Sequence, residues 1–128
     1  MPKPKLTYFN GRGLGEIARL ILVYAKVDFE DVRVDDIKSL KSADDHILAF
    51  GQVPLYEDDD VKLVQSGAIA RYLASKHGLH GANLVESGLI EVLVEGVNDV
   101  RSKYSAARYA AEDKKAELTK EFVEKTLP

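Results

Sequence analysis

Apolar positions through residue 79 alternate between two rhythms, a period of two and a period near 3.6. Residues 5–9 read as a strand that stops at Asn10-Gly11. Ile17, Leu20, Ile21 and Tyr24 follow at i, i+3, i+4 and i+7, one face of a helix beginning near Gly13. Residues 29–34 alternate apolar and charged side chains, which predicts a second strand. A helix between two short strands is a βαβ unit, so these strands are expected to be parallel. Residues 37–50 are polar and weakly patterned and predict a short helix or an ordered loop. Residues 53–56 and 61–64 flank Asp58-Asp59, the pattern of an antiparallel hairpin. Ala68, Ile69, Tyr72 and Leu73 make the next helix, with Gly78 as its left-handed stop.

The rhythm then changes. After the small-residue linker His80-Gly81-Ala82-Asn83, no strand pattern returns. Val85, Leu89, Val92, Leu93, Val97, Val100 and Tyr104 predict a long amphipathic helix, in which Gly88 and Gly96 would permit close approach of another helix. A second helix is predicted over about residues 113–125. The chain therefore reads as a βαβ-α-ββα module over residues 1–79 and two helices over residues 84–128, without internal repeats.

Composition narrows the function classes. Of 128 residues, 45% are hydrophobic and 30% charged, the mix of a soluble globular protein. A net charge of -3 provides no polybasic footprint, which argues against nucleic acid or an anionic membrane as the main partner. No run approaches the length of a membrane span, and the N-terminal segment lacks the apolar core of a signal peptide. The absence of cysteine excludes disulfides and thiol nucleophiles carried by the chain, and it fits a cytoplasmic protein. His46, His77 and His80 show no metal-ligand spacing with carboxylates, so no metal site is expected.

Three places invite chemistry. Pro54 donates no ladder hydrogen bond and belongs at a strand start or an edge. A cis Val53-Pro54 bond would turn the backbone and free the Val53 N–H and C=O to pair with an extended peptide. An ordinary trans proline is the commoner alternative, since only about 5–6% of X–Pro bonds are cis. Ser66 is placed as a helix N-cap, and the free amides behind it would attract a carboxylate, with the Gln65 amide beside them. The competing reading is that Ser66 caps its own helix and nothing more. Tyr8 lies near the carboxyl end of the first strand, where ligands bind in open α/β sheets, and its hydroxyl can donate to an anion. Its alternative is a rim or core tyrosine. Gly11, Gly13 and Gly15 are too weakly spaced for a nucleotide loop, and Glu16 with Arg19 reads as a surface or structural ion pair.

Taken together, "KLTYFNGRGLGEIARLIL", "FGQVPLYEDDDVKLVQSGAIARYLA" and the long helix from Leu84 resemble, in order and spacing, the cytosolic glutathione transferases, especially the tyrosine-dependent sigma, alpha and pi types. The resemblance implies an α/β thioredoxin-like N-terminal domain followed by the first two helices of an all-α domain. It implies Tyr8 as the catalytic tyrosine, Val53 and Pro54 as a cis-proline glutathione clamp, and Gln65 and Ser66 as the γ-glutamyl site. Gln52 matches a residue near the backbone of bound glutathione, and Asp99 matches an acidic residue that dimers of the family lend to the neighbouring site. Glutathione is then a co-substrate, with a hydrophobic electrophile as second substrate, a homodimer as the assembly and no resident cofactor. Leu14 stands where relatives often have arginine. The tryptophan and lysine that often hold the glycine end of glutathione are not matched, which leaves Lys38, Lys41 or His46 for that role. With only two helices of the second domain present, as in a C-terminally truncated family member, apolar faces are expected to remain exposed and the chain to self-associate. Two other functions fit the resemblance: a non-catalytic ligand-binding or structural relative, and a glutathione-dependent prostaglandin isomerase.

Overall fold

The structure, a computed structural model, describes residues 2–41 and 50–127. The chain divides into two compact units, Met1–His80 and Gly81–Pro128. His46 and the side chain of Lys41 lie outside the described residues, as does most of the segment expected between residues 37 and 50.

In the first unit, β1 (Lys5–Phe9) leads through a tight turn at Gly13–Gly15 into α1 (Glu16–Tyr24), and β2 (Glu30–Val34) returns parallel to β1. A single turn, α2 (Lys38–Lys41), follows. Then β3 (Leu55–Glu57) and β4 (Lys62–Val64) form a hairpin that leads into α3 (Ser66–Lys76). The sheet order is β2-β1-β3-β4, with β1 parallel to β2 and antiparallel to β3. β3 starts later than the sequence suggests. Pro54 has no N–H to give the ladder, so pairing begins at Leu55.

Alternation along the strands creates two apolar clusters. Leu6 and Tyr56, directly paired across β1 and β3, bury with Ala18 and Leu22 of α1 and Ile69 and Leu73 of α3. Val53 and Leu55 form the second cluster, joined by Tyr8, Ile37, Leu40 and Val64. Of the face expected for α1, Ile21 packs against the first cluster, but Ile17, Leu20 and Tyr24 are exposed. Ala18, Arg19 and Leu22 are buried, whereas Leu20 is 61% exposed and Tyr24 74% exposed. The helix is apolar nearly all round, so a 3.6 period does not distinguish its two sides. Ile17, Leu20, Ile21, Val23 and Tyr24 instead line, with Leu79, an open groove of about 540 Å³.

Both long helices of this unit end in the same way. Gly78, at φ 70°, lets Leu79 N–H reach Ala74 O at 2.7 Å, the overlapping closure of a Schellman stop. At the end of α1 the left-handed position is filled by Lys26, at φ 57°, with Val27 N–H on Leu22 O at 2.9 Å.

The hairpin is pinned to α3 by Asp58. Its Oδ1 accepts the Asp60 and Val61 amides at 2.9 and 3.0 Å. Its Oδ2 accepts the Tyr56 and Tyr72 hydroxyls, each at 3.0 Å, and Lys76 Nζ at 2.9 Å. Burial by itself would raise the Asp58 pKa, but the hydrogen bonds from Lys76, the two amides and Tyr56 outweigh it and hold the carboxyl well below the usual carboxylate range. Burial and the Asp58 charge push Tyr56 up, and the hydrogen bond to Asp58 pushes Lys76 up.

In the second unit, α4 (Leu84–Arg108) begins at Asn83, whose side chain accepts the Glu86 N–H at 3.0 Å. The Glu86 carboxylate reaches back to the Ala82 N–H. α5 (Glu112–Glu121) and a wide final turn, Phe122–Thr126, pack against α4, with Tyr104 and Phe122 rings 5.8 Å apart. Leu84, Val85, Leu89, Val92, Leu93 and Val97 are exposed, in line with the expectation of uncovered apolar faces. The close helix approach expected at Gly88 and Gly96 is not found among the described residues: a Cβ at either position would meet nothing within 4 Å.

The Asp58 cluster predicts an acid limb in the stability of the first unit. A carboxyl depressed by folding adds stability above its unfolded value of about 3.9, and that contribution is lost as pH falls below it. Lys76 has the opposite sign, so its contribution persists below about pH 10.4 and fades only above it. Asp58 is only 5% exposed, but Lys76 is 38% exposed and partly screened. Asp58→Asn is therefore expected to cost about 2 kcal/mol at pH 7. Urea unfolding should show the gap between wild type and variant closing between about pH 4 and pH 2. A gap independent of pH would contradict the charge-based account.

Candidate functional site

One row of paired residues sets the geometry. Thr7 pairs with Leu55, and Leu55 pairs with Val64. One residue farther along each strand lie Tyr8, Pro54 and Gln65. The direction is toward the carboxyl end of β1 and β4 and the amino end of β3. Three of the positions singled out in the sequence thus converge because a single register places them at one level of the sheet. Tyr8, Val53 and Val64 also share the second apolar cluster, which ties this level together through side chains.

Tyr8 is enclosed by the turn that follows it. The Leu14 N–H donates to the Tyr8 hydroxyl at 3.1 Å. A Cβ on Gly15 would lie 2.6 Å from Tyr8 Cγ and Cδ1, and one on Gly13 would strike the hydroxyl. Gly13 also has a positive φ of 40°. Gly13 and Gly15 are therefore not part of a nucleotide loop but the space in which the backbone wraps the tyrosine ring. With its oxygen accepting the Leu14 amide, the hydroxyl still has its own proton to donate, and the amide polarises it for doing so.

The Val53-Pro54 bond is cis, the rarer of the two alternatives left open by the sequence, and both residues are buried. Gln52, beside them, is exposed. Ser66 is not the N-cap. Gln65 occupies that position, at φ 75° and ψ 117°, and makes no side-chain cap hydrogen bond, while Ser66 is the first helical residue. The helical ladder opens with Ile69 N–H on Gln65 O at 3.0 Å, so the amides of residues 66–68 precede it. Asp99 is exposed on α4 in the second unit and is not among the residues that the first unit brings together. Of the residues considered for a glycine-end role, Lys38 is exposed at the start of α2, its N–H on Asp36 Oδ1 at 2.8 Å.

Arg19 was undervalued in the sequence. It is buried, and besides Glu16 it reaches Asp31, the Phe9 carbonyl and the Gly11 carbonyl. The Leu14 amide was invisible in the sequence, because any residue supplies an N–H. The alternate glycines directly after Tyr8 were the signal that could have exposed both.

Residues 4–75, more than half of the chain, match the family described as glutathione S-transferase, N-terminal domain. The chain belongs to the glutathione S-transferase family. It is 40% identical over 126 residues to a glutathione S-transferase of Dirofilaria immitis, an alignment covering 97% of this chain and 57% of the relative. Among solved structures it is similar to prostaglandin synthase D of Nilaparvata lugens, at 39% identity and a TM-score of 0.83, covering 98% of this chain and 62% of the other. It is also similar to a pi-class glutathione S-transferase of Onchocerca volvulus, at 40% identity and a TM-score of 0.81, covering 96% and 57%. The chain thus spans little more than half the length of these glutathione S-transferases. Its four-stranded sheet with flanking helices is the thioredoxin-like N-terminal domain of the family, followed by helices. Among the described residues, no helix is long and apolar enough to cross a membrane, and no cluster of histidine and acidic side chains could hold a metal.

The close wrap around Tyr8 is open to test by adding one methyl group. Gly15→Ala should force ring or loop to move, at about 1–3 kcal/mol. Gly11→Ala, where nothing lies within 4 Å, serves as the control. Thermal unfolding should show a loss of several degrees for Gly15→Ala and little change for Gly11→Ala; equal melting points would mean that the turn does not enclose the ring.

Proposed function

We propose that the chain is a glutathione-conjugating enzyme, in which the Tyr8 hydroxyl stabilises the glutathione thiolate for attack on a hydrophobic electrophile. The observation that carries this reading is the Leu14 N–H on the Tyr8 hydroxyl, at the level of the sheet that also carries Pro54 and Gln65. The chain has no cysteine, so the sulfur nucleophile comes with the substrate. A free thiol with a pKa near 8.5 is mostly protonated at neutral pH. A proton donor aimed at the sulfur favours the anion. The thiol proton leaves to solvent, a sulfur lone pair forms the new bond to carbon, and the leaving group departs with its electron pair.

In this scheme Val53 lends its backbone N–H and C=O to the cysteinyl part, and Pro54 keeps that stretch out of the ladder. Gln65, Ser66 and the first-turn amides of α3 receive the γ-glutamyl carboxylate at the positive end of the helix dipole. Gln52 lies by the peptide backbone of glutathione, and Asp99 is lent to the neighbouring site within a homodimer. The protein acts in the cytoplasm, in detoxification, without a resident cofactor. A second reading is favoured by the similarity to prostaglandin synthase D: glutathione-dependent isomerisation of a prostaglandin precursor. The two are separated by whether glutathione is consumed, since an isomerase returns it unchanged.

Tyr8→Phe removes the donor and keeps the ring. With glutathione and a generic aromatic electrophile, turnover should fall by about 10²-fold, and glutathione affinity should change far less. Undiminished turnover would take Tyr8 out of the mechanism.

For Ser66→Ala the loss should appear in binding. A missing charge-assisted hydrogen bond should weaken glutathione by about 1.5–3 kcal/mol in calorimetry. Equal affinity in the variant would contradict the γ-glutamyl assignment.

A further inference from the structure

Arg19 is a charged side chain with only 4% of its surface exposed, and its partners are unusual for a structural ion pair. Two are carboxylates: Nε donates to Asp31 Oδ1 at 3.1 Å and Nη1 to Glu16 Oε2 at 3.3 Å. The others are main-chain carbonyls just beyond Tyr8. Nη2 donates to Phe9 O at 3.1 Å, and Nη1 also donates to Gly11 O. The guanidinium carbon lies 5.6 Å from the centroid of the Tyr8 ring, within cation–π range. A second arginine braces the same place. Arg33 grips Asp31 Oδ2 with Nε at 3.1 Å and Nη2 at 2.9 Å, and its Nη1 reaches Asn10 Oδ1 at 3.1 Å. Phe9, Asn10 and Gly11 are thus each held by a guanidinium.

Stability alone is a weak reason for such an arrangement. Burying an ion pair strips hydration from both ions, and apolar replacements of similar volume are often neutral or stabilising. An apolar side chain, however, cannot hold two carbonyls and two carboxylates in fixed directions. Neither can lysine, whose donors radiate from one compact ammonium, whereas the planar fork of arginine meets acceptors on several sides.

We propose that Arg19 is the positioning residue for Tyr8. By holding the Phe9 and Gly11 carbonyls and facing the tyrosine ring, it fixes the turn that carries the Leu14 N–H, and through that amide the direction in which the Tyr8 hydroxyl points. The inference rests on the role of Tyr8 proposed above. Arg19 touches no reacting atom; it acts through residues 9–14 and the ring.

The test uses Arg19→Lys in the full chain, with two readouts. In the glutathione assay, kcat should fall by about tenfold or more, because small misplacements of a catalytic group are costly, while KM for glutathione changes by less than about twofold. In NMR with ring-labelled tyrosine, the Tyr8 signal, identified by its loss in Tyr8→Phe, should move while the Tyr56 and Tyr72 signals remain. Asp58→Asn is the control for general destabilisation: it should disturb Tyr56 and Tyr72 and leave Tyr8 in place. Wild-type kcat and an unmoved Tyr8 signal in Arg19→Lys would overturn the proposal. So would equal kcat losses in Arg19→Lys and Asp58→Asn. If Arg19→Lys fails to fold, Arg33→Lys replaces it, and a smaller displacement of the same Tyr8 signal supports the proposal while none overturns it. If Tyr8→Phe retains full turnover, or wild type has none, the catalytic reading fails separately and the Tyr8 signal alone decides whether Arg19 positions the ring.

Discussion

Leu55 is the hinge of the first unit's geometry. It is paired on one side with Thr7 and on the other with Val64, and it cannot slip by one residue without exchanging Tyr56 of the first apolar cluster and Leu55 of the second between the two faces of the sheet. Pro54 makes that register harder to lose, because the ladder has no donor to offer one step earlier. Everything placed at the end of the sheet follows from this pairing. Tyr8 within β1, Gln65 just past β4 and Pro54 just before β3 stand at one level. Tyr8, Pro54 and the start of α3 therefore need no dedicated scaffold beyond three short strands.

Two buried charges act as staples at opposite ends of β1. Asp58, beyond the Lys5–Glu57 pair, gathers two tyrosines, a lysine and two amides and closes the hairpin turn against α3. Arg19, beyond Phe9, gathers two carboxylates and two carbonyls and closes the β1–α1 turn. Each carries a charge into a poorly hydrated place and surrounds it with enough partners to offset the lost hydration. No buried side-chain polar atom among the described residues lacks a partner.

The sequence made some of this legible and hid the rest for identifiable reasons. The βαβ unit, the hairpin and the helix stop at Gly78 follow from residue types with strong local preferences, and they appear as expected. The cis state of Val53-Pro54 was legible only through resemblance, since proline chemistry alone favours trans. The orientation of α1 was not legible, because Ile17, Leu20, Val23 and Tyr24 are as apolar as the side that packs. The cap position at Gln65 escaped because glutamine is a poor cap by preference and a positive φ is imposed by the surrounding fold. The Leu14 amide escaped for a deeper reason: a backbone donor leaves no trace in side-chain identity. Arg19 was noticed, but pairing rules could not show that its acceptors include Asp31 and two main-chain carbonyls.

The lysine that ends α1 is informative in a different way. A left-handed residue at this position normally favours glycine, as at the end of α3, yet Lys26 holds φ 57° with both closing hydrogen bonds intact. The stop is thus dictated from outside the helix, by Val27 and Phe29 packing onto the first cluster as the chain turns toward β2. Cut from its surroundings, the peptide spanning α1 would have no local reason to stop at Tyr24, and its helix would run on or fray at random. The length of α1, and with it the point at which β2 enters the sheet, is therefore set by tertiary packing and not by the residues of the helix itself.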